Sequence, residues 1–560
     1  MKTIYINLLL IIIVIMSSCD LEEKIYDAPI AETSIKSQDD VFSQLNGVYS
    51  YFTTFPSFKS NLPYQIIVGG DDMATTNSIY RLFSERTIST SNVYFTGPWT
   101  QFFLTINSAN ALKESLEKLD AGILTTSYKE RALGELYFMR ALSYFYLVRL
   151  YGGVPIHTNS VDGSSDFYPK RNTVEEVYNL IFEDLNIASQ KCVPFSQLPS
   201  KEFGHATKGA AQAMLSLAYL TYANNLDLKS KGEEAKTYYQ LAENFADSVI
   251  LSNEYSLVNN YADLWNVDLE KNAYKEVIFG VQFTRDETAA SASARGSEFA
   301  VYYQPTSRYN ICGNPTNGQG SSMLQIQPWV VEMYKTGEYL NDYRSEVSFL
   351  TRWSYKGTSQ ESITFPEVKK TNEVIENYPY LNKYADPKGL QARNNENDLF
   401  IIRLSEVYLI KAEAENELNG PTPEAYTAFN KLRERARKAN GTSRITPVDL
   451  VNGLTKEDFR MKIFDERGLE LIGEGHRWFD AIRMRYKDNI KTMIQYRYED
   501  FYPALTKSAP SYNSTTKTWG GGRVQPLNIV NYSTKFLIWP IPSTEIDANP
   551  NMTQNVEFGW

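Results

Sequence analysis

Apolar residues recur at helical spacing in two blocks of the chain, and the first block covers about residues 40–252. Its clearest stretch is RALGELYFMRALSYFYLVRLYGGVP, which starts at Arg131 and carries apolar side chains on more than one helical face. The pattern predicts a helix that is buried on most sides and ends at its Gly-Gly pair. Capping-box spacing also predicts helix starts at Ser127 and Thr173.

The second block covers about residues 399–488. Its stretch IIRLSEVYLIKAEAENELNG ends at Gly420, and Thr422 with Pro423 then predicts the start of another helix. A helix, a tight turn and another helix repeat through both blocks, without a strict repeat length. This arrangement is typical of stacked helix pairs, as in tetratricopeptide proteins, and predicts a rigid helical scaffold.

Between the two blocks, at about residues 253–398, the pattern changes to short β-like runs such as EVIFGVQF and to long loops rich in Gly, Ser, Asn and Tyr. Long loops inside a compact protein are usually functional or disordered, and the aromatic and arginine residues here argue against plain disorder. We therefore predict a mainly α fold class, with a tetratricopeptide-like helix-pair scaffold and a loop-rich, partly β middle region that forms the ligand face.

The same pattern predicts one composite domain that follows a targeting segment. Its parts are residues 1–18, a lipoprotein signal peptide; 19–252, the N-terminal helical scaffold; 253–398, the variable ligand region; and 399–560, the C-terminal helical scaffold with terminal loops.

The first residues have the pattern of a targeting segment: Lys2, an apolar run that is too short to span a bilayer, two serines and then Cys19. Cysteine in this position resembles the lipobox of bacterial lipoproteins, in which the thiol is acylated and the cysteine becomes the mature N-terminus. The alternative is an ordinary cleavage site beside an unrelated cysteine. The acidic run DLEE, which begins at Asp20, resembles the tag of lipoproteins that are exported to the outer cell surface.

The charge balance limits the partners, because the net charge is −10 and the chain has no cluster of lysine and arginine. Nucleic acids and anionic lipid surfaces are therefore poor partners. Besides Cys19, the chain has only Cys192 and Cys312, which permit one disulfide but not a disulfide framework. Aromatic residues make up 13% of the chain, a surplus that suits core packing and also flat, partly hydrated ligands.

Two carboxylates raise the question of catalysis. Glu466 and Glu470 are four positions apart in a predicted helix, so they share one face, and glycoside hydrolysis needs such a pair. The neighbouring Arg467, Arg477 and Arg483 favour a structural interpretation, because a carboxylate paired with a guanidinium has a lowered pKa and is a poor general acid. We weigh the structural interpretation above the catalytic one.

The three histidines give no sign of a metal-binding or catalytic site. His157, His205 and His476 form no metal-binding or catalytic spacing with one another, and no nucleotide-binding or nucleophile motif stands in its required context. The sequence therefore predicts no catalytic residue, no cofactor and no metal ligand. A structural calcium ion stays open, because scattered Asp and Asn ligands leave no fixed spacing.

The N-terminal block offers one group of candidate ligand-binding residues. A sugar presents C–H faces, which stack on Trp or Tyr, and hydroxyl groups, which need polar partners. The stretches GGDDMATTNSIYRLFSE and VYFTGPWTQFF supply both kinds of side chain, with Asp72, Arg81 and Trp99 as candidates. Trp99 follows Gly-Pro in a segment that we predict to be a turn opening a helix. The alternative is that Trp99 packs in the core against the helix pair.

The middle region offers a second group of candidates around Pro305, namely Tyr302, Tyr303, Arg308 and Tyr309. If FAVYYQ is a strand, its alternation sends the two adjacent tyrosines to opposite faces, so that at most one of them faces a ligand.

Several motifs, taken together, resemble the SusD/RagB family of outer-membrane lipoproteins. LVRLYGGVP looks like one family signature, and residues 206–220 look like a second, with His205 where the family often has arginine. Residues 401–415 nearly match a third signature, and residues 464–483 are the most specific, although Gly468 replaces a common arginine. The C-terminal WPIPSTEIDANPNMTQNVEFGW is similar to the family's ending.

This resemblance implies a non-enzymatic glycan-binding lipoprotein, anchored to the outer membrane and facing the cell exterior. Such a protein would sit as a lid on a SusC-like TonB-dependent transporter and pass oligosaccharide to it. Residues 253–398 match only weakly, so the identity of the glycan does not transfer. The alternatives are a surface glycoside hydrolase that uses the paired carboxylates and a surface receptor for peptide or protein.

Overall fold

The computed structural model describes residues 35–161, 165–285, 295–309, 320–388, 393–487, 491–505, 508–521 and 530–560. The α-helices of this part are α1 Gln38–Ser50, α2 Asn61–Ile67, α3 Ser78–Glu85, α4 Val93–Glu117, α5 Thr126–Tyr151, α6 Val174–Lys191, α7 Lys208–Leu228, α8 Gly232–Leu251, α9 Glu270–Ala273, α10 Phe299–Tyr303, α11 Pro328–Lys335, α12 Tyr343–Ser348, α13 Leu404–Asn419, α14 Pro423–Ala436, α15 Lys456–Glu470, α16 Arg477–Arg483, α17 Met493–Tyr496, α18 Tyr502–Ala504 and α19 Ser543–Ala548.

The long helices pack on their neighbours in the sequence. Helix α5 contacts α4 and α6, α6 contacts α7, and α7 contacts α8. Helix α8 also packs on α13, which in turn contacts α14 and α15, so both helical blocks belong to one continuous scaffold. This arrangement confirms the prediction of a mainly α fold built from helix pairs. Within the described ranges, every helix is either too short or too polar to cross a membrane.

Helix α5 is the centre of the first block, as its all-round apolar pattern predicts. Tyr144 and Leu147, which point to the same side of the helix, are both 0% exposed, and Leu136 is 2% exposed. The helix ends at Gly152, whose φ of +78° is a backbone conformation that glycine adopts without strain.

The capping patterns were confirmed at one of the two predicted helix starts. Thr173 and Glu176 form a complete capping box, in which the Thr173 Oγ1 accepts from the Glu176 N–H at 3.2 Å. The start predicted at Ser127 is wrong. Thr125 caps α5 instead and accepts from the Tyr128 N–H at 3.3 Å, because the chain offers a second hydroxyl two positions earlier.

The strands are short and lie mostly in the middle region. They are β1 Met73–Thr75, β2 Val277–Val281, β3 Leu324–Ile326, β4 Phe349–Leu350, β5 Arg352–Ser354, β6 Glu361–Ile363, β7 Val374–Ile375, β8 Tyr380–Leu381, β9 Leu399–Arg403, β10 Lys438–Ala439, β11 Thr442–Ser443, β12 Pro510–Asn513 and β13 Thr518–Gly521.

Two antiparallel pairings hold the middle region to the helical scaffold. Strand β1 pairs with β3, with Met73 opposite Ile326, and β2 pairs with β9, with Val281 opposite Leu399. The β1–β3 ladder joins the N-terminal scaffold to the middle region, and the β2–β9 ladder joins the middle region to the C-terminal scaffold. The boundaries between these parts stay a prediction. The β1–β3 ladder brings the segment after α2 next to the middle region, where the candidate site lies.

Candidate ligand-binding site

A group of tyrosines and one arginine lies where the N-terminal block meets the middle region. We call it the Tyr–Arg cluster, and its members are Tyr64 of α2, Tyr80 of α3, Tyr94 at the start of α4, Glu298 and Tyr302 at α10, and Arg393.

Local capping places two of these tyrosines. The side chain of Asn77 accepts from the backbone N–H of Tyr80 at 3.2 Å and thereby starts α3. The side chain of Asn92 accepts from the N–H of Tyr94 at 3.0 Å and starts α4 in the same way. Asparagine is a preferred N-cap because its short amide reaches the first free N–H groups of a helix.

The tyrosine rings form a continuous row. The Tyr64 and Tyr302 ring centroids are 4.3 Å apart in a T-shaped arrangement, and those of Tyr64 and Tyr80 are 5.5 Å apart. Tyr80 and Tyr94 continue the row at 5.9 Å. Tyr94 is half-buried, so the row reaches solvent at that end.

Glu298 ties the polar atoms of the cluster together. It accepts from the Tyr302 hydroxyl at 2.7 Å, and the Arg393 Nη1 lies 3.6 Å from its carboxylate. Arg393 also donates to the Tyr302 hydroxyl at 3.0 Å, and its guanidinium carbon lies 5.2 Å from the Tyr302 ring centroid. The Arg393 side chain is 48% exposed whereas that of Glu298 is 8% exposed, so the arginine forms the solvent edge of the cluster.

A backbone bridge brings these distant residues together. Ser297 and Asn395 pair in antiparallel fashion, with N–H to carbonyl distances of 2.8 and 3.0 Å. Ser297 directly precedes Glu298, and Asn395 lies two residues after Arg393, so the bridge sets the position of the ion pair between Glu298 and Arg393. The site is therefore held by main-chain geometry and does not depend on side-chain contacts alone.

The buried tyrosine hydroxyls of Tyr64, Tyr80 and Tyr302 stay protonated at neutral pH, because burial raises the pKa of each. Burial raises the pKa of Tyr302 to about 12, and the nearby Glu298 carboxylate adds to this shift. Burial also raises the pKa of Tyr80, whose hydroxyl donates to Asn61 at 3.1 Å. The cluster thus offers one exposed guanidinium and the half-buried Tyr94 ring, supported from inside by buried tyrosines, a set that suits a ligand with both hydroxyl groups and C–H faces.

Of the predicted site residues, Tyr302 lies in the Tyr–Arg cluster and Arg81 lies beside it. Tyr302 is 3% exposed, so it supports Arg393 from inside the protein and is not itself a ligand contact, which corrects that part of its prediction. Arg81 follows Tyr80 on α3, its side chain is 37% exposed, and it pairs with Glu85 at 3.5 Å. It is available to a ligand that extends along α3.

Tyr303 and Asp72 lie in the interior, which corrects their prediction as ligand contacts. The segment that contains Tyr303 is helix α10 and not a strand, so both tyrosines of the segment are buried; Tyr303 is 0% exposed and stacks on Tyr384 at 5.3 Å. Asp72 is 3% exposed just before β1. Burial raises the pKa of Asp72 to about 7, with repulsion from Asp71 adding to the shift.

Trp99 also lies in the core, which matches the alternative interpretation. Helix α4 begins at Val93 and runs through Pro98, so the predicted opening turn is absent and Trp99 faces inward. It is 3% exposed, and its ring lies 5.0 Å from that of Phe103 and 5.1 Å from that of Tyr151. The ring offers little surface for a sugar to stack on, although Trp99 lines a cavity of about 430 Å³ together with Phe103 and His157.

Arg308 is used within the middle region, and Tyr309 is half-buried. The Arg308 guanidinium donates to the side chains of Gln304 and Asn382, the latter at 2.9 Å, and burial lowers its pKa to about 10. Their role in binding stays a prediction. Cys19, the predicted lipid anchor, and Cys312 lie outside the described residues, whereas Cys192 is a buried free thiol.

Sequence reasoning missed Tyr64, Tyr80, Tyr94, Glu298 and Arg393 as members of the site. The quoted N-terminal stretches contained Tyr80 and Tyr94, and the asparagine before each helix was the available signal. Arg393 lies in the loop sequence QARNNEND, where no periodicity marks it.

The carboxylates considered for catalysis are enclosed in an ion-pair network. Glu466 and Glu470 are both 0% exposed, and Arg344 bridges them at 2.7 and 2.9 Å. Burial alone would raise the pKa of each carboxyl. Arg344 and Arg433 outweigh this effect at Glu466, and Arg435 together with Arg344 outweighs it at Glu470, so both pKa values lie below the ordinary value. Neither group is placed to donate a proton to a substrate, which supports the structural interpretation.

One set of described residues has the composition of a metal site, namely Glu135, Glu202 and His205. Arg131 already pairs with both carboxylates, and it donates to Glu135 at 3.1 Å. The His205 ring nitrogens lie 2.8 Å from Glu135 and 3.0 Å from the Asn46 amide oxygen. The carboxylate oxygens that face Arg131 and the imidazole are therefore already used within the protein. We therefore describe this set as an ion-pair network.

Comparison with protein families gives two matches that together cover most of the chain. The model described as "SusD family" matches residues 275–560, and the model described as "Starch-binding associating with outer membrane" matches residues 21–220. SusD-like protein P2 of Formosa agariphila is 26% identical over 503 residues, which are 88% of this chain and 92% of the relative. Starch-binding protein SusD of Bacteroides thetaiotaomicron is 24% identical over 467 residues, 77% of this chain and 74% of the relative.

Solved structures show the same fold. A SusD homologue from Bacteroides thetaiotaomicron superposes with a TM-score of 0.78 at 20% identity and covers 95% of this chain and 98% of its own. A laminarin-binding SusD-like protein superposes with a TM-score of 0.66 at 22% identity and covers 94% of this chain and 100% of its own.

Proposed function

This chain belongs to the SusD family, and on that basis we propose that it is a cell-surface receptor that binds oligosaccharide and delivers it to a SusC-like TonB-dependent transporter. Two relatives are described by their names as binding starch and laminarin, which supports a glycan ligand for this chain. The family description "associating with outer membrane" supports the proposed location.

The observation that carries the proposal is the construction of the Tyr–Arg cluster. Glu298 holds the Tyr302 hydroxyl and the Arg393 guanidinium in one arrangement, at 2.7 and 3.6 Å, while the arginine remains 48% exposed. A ligand therefore meets a guanidinium that is already ordered, and little side-chain entropy is lost on binding. The exposed guanidinium and the half-buried Tyr94 ring suit a sugar, which needs hydrogen bonds at its rim and apolar contact on its face.

We propose that the protein is attached through a lipidated Cys19 and faces the cell exterior. The lipobox-like sequence at Cys19 and the acidic run that follows it support this proposal. We also propose that the protein is not an enzyme and needs no cofactor. The burial of Glu466 and Glu470 among arginines supports this part, because these were the carboxylates suited by spacing to glycoside hydrolysis.

The proposal is tested with the soluble chain from residue 20 and a panel of plant, host and microbial polysaccharides. Binding is measured by calorimetry, and the same mixtures are analysed for cleavage products. We expect saturable binding to at least one polysaccharide without products. Products would overturn the receptor proposal in favour of a hydrolase. Peptide or protein binding with no glycan binding would favour a receptor for those ligands instead.

A further inference from the structure

A cavity of about 460 Å³ lies on other elements than the Tyr–Arg cluster. It is enclosed by the end of α5, the last turns of α7, helix α16 and the segment after residue 530. Its lining includes Arg149, Lys229 and Arg483, and no carboxylate among the described residues lines it. Because the whole chain has a net charge of −10, a cavity lined by cationic side chains and no carboxylate is not a reflection of composition.

Arg149 is the central cation of this cavity. Its guanidinium carbon lies 3.8 Å from the Phe145 ring centroid and 3.9 Å from that of Phe479, so aromatic rings cover the planar group. The Tyr146 ring is a third neighbour at 4.6 Å. The Arg149 Nε donates to the Phe145 carbonyl at 3.1 Å, and the side chain also has a hydrogen bond with Tyr146, which leaves further N–H groups of the guanidinium for other partners.

Arg149 has no carboxylate counter-ion among the described residues. Burial lowers its pKa from the ordinary value, and the tyrosine hydroxyls of Tyr146 and Tyr178 only partly offset this effect. The Glu406 carboxylate also raises the pKa of Arg149, but Glu406 is already paired with Arg467 at 2.7 Å. The Arg149 side chain is half-buried, so water and small anions reach the guanidinium, and a partner that is not part of the fold can bind it.

Arg483, the other arginine that lines the cavity, differs from Arg149 because it has carboxylate partners. Arg483 directs its guanidinium to Glu413 and Asp480, with the latter at 2.8 Å, and its charge is therefore satisfied within the protein. Arg140 likewise pairs with Asp184 at 2.7 Å in the same helical block. Arg149 is more exposed than these two arginines and lacks such a partner among the described residues.

We propose that this cavity binds an oxyanion, that is a carboxylate, sulfate or phosphate group, on the terminal nitrogens of Arg149. The guanidinium presents a rigid pair of N–H groups that matches two oxygens of such an anion, and Phe145 with Phe479 fixes its plane. Lys229 is exposed at the cavity and adds attraction at its entrance. Thr221 and Asn225 supply further polar groups to the lining.

This inference does not rest on the proposed glycan-binding function, because the cavity and the Tyr–Arg cluster share no residue. An acidic sugar, a sulfate ester or a phosphate ester would each supply the required group. The shared chemistry is the oxyanion, and the choice of probes distinguishes its sources.

The test uses glucuronate, inorganic sulfate and inorganic phosphate as probes, with glucose as the uncharged match for glucuronate. Binding to the wild-type protein is measured by calorimetry at constant ionic strength. We expect saturable binding of at least one oxyanion and none of glucose. The Arg149→Gln variant should bind that anion at least about tenfold more weakly, because the charged two-pronged donor is lost.

Three further variants keep the test decisive. Arg149→Lys retains the charge but loses the planar pair of N–H groups, so it should also weaken binding. Lys229→Met should weaken binding by about twofold to threefold without affecting folding, since Lys229 is exposed. Arg444→Gln, an exposed arginine paired with Glu346, is the matched control and should bind as the wild type does. The proposal would be overturned if none of the three oxyanions bound saturably, if glucuronate and glucose bound equally and neither sulfate nor phosphate bound, or if both Arg149 variants kept the wild-type affinity.

Discussion

The Arg393 guanidinium covers the Tyr302 ring at 5.2 Å and donates to the hydroxyl of the same residue at 3.0 Å. The two residues are 91 positions apart in the chain, and each also contacts Glu298. This contact joins the loop around Arg393 to α10, so a solvent-facing cation is supported by a buried aromatic residue. Such support is what a preorganised binding site needs.

The first prediction concerns Glu298, which positions Arg393. In Glu298→Gln the arginine loses its ion-pair partner, and the Tyr302 hydroxyl loses a charged acceptor. We expect glycan binding to weaken by about fivefold, or about 1 kcal/mol, with the fold retained. Calorimetry with the best glycan of the panel measures this change. Glu346→Gln, which removes the partner of Arg444, is the control, and an equal effect in both variants would contradict the prediction.

The second prediction concerns the pH dependence of stability at Asp72. The folded pKa of about 7 lies above the ordinary value of 3.8, so folding retains a proton that the unfolded chain releases. Stability contributed by this group is therefore full at low pH and is lost as pH rises toward and past 7. Asp72→Asn removes the titration, and its melting temperature relative to wild type should be higher at pH 8 than at pH 5.

The difference between variant and wild type isolates Asp72 from other groups that titrate in the same range. Asp71 is the matched control, because Arg477 and Arg497 hold its pKa below the ordinary value despite burial. Asp71→Asn should lower the melting temperature at both pH values. A melting temperature difference for Asp72→Asn that is the same at pH 5 and pH 8 would refute the prediction.

The third prediction separates the core role of Trp99 from a ligand role. Trp99→Ala removes a ring that is 3% exposed and packed on Phe103 and Tyr151. We expect a loss of about 3–5 kcal/mol in the free energy of unfolding, measured with denaturant. The folded fraction should bind glycan with unchanged affinity, and a large loss of affinity in a protein of normal stability would restore Trp99 to the binding site.

The fourth prediction concerns the enclosed carboxylate Glu470. Glu470→Gln leaves Arg344, Arg403 and Arg435 with one fewer buried counter-charge. We expect destabilisation of about 3–5 kcal/mol, since breaking a buried pair leaves charge uncompensated. Unfolding by denaturant measures it. Normal stability combined with loss of a glycan-cleaving activity would instead identify Glu470 as catalytic.

Local signals allowed much of the scaffold to be predicted from the sequence. The apolar pattern around Tyr144 and Leu147 predicted a buried helix, and Thr173 with Glu176 predicted its neighbour's start, because helix formation and capping depend on residues within one turn. Trp99 was less well predicted, since Gly-Pro suggests a turn and the helix in fact continues through Pro98. The packing of α4 on its neighbours overrides that local preference.

The candidate site could be predicted only in part, because it is made by long-range contacts. Tyr302 and Arg81 were named from the residue types in their stretches of sequence. Arg393 comes close to Glu298 because Ser297 and Asn395, which are 98 positions apart, pair in a backbone bridge. No periodicity in a single segment encodes such a pairing. Burial of Asp72 and Tyr303 likewise follows from the β1–β3 ladder and α10, whose formation depends on the assembled fold.

The central claim is that the Tyr–Arg cluster binds the glycan, and two matched arginine variants test it most directly. Arg393 and Arg444 each lie over a tyrosine ring, at 5.2 and 5.1 Å, and each pairs with a glutamate. Calorimetry of Arg393→Ala and Arg444→Ala with the glycan found in the panel should show at least about tenfold weaker binding for Arg393→Ala only. Equal affinity of the two variants, with both folded, would contradict the assignment of the site.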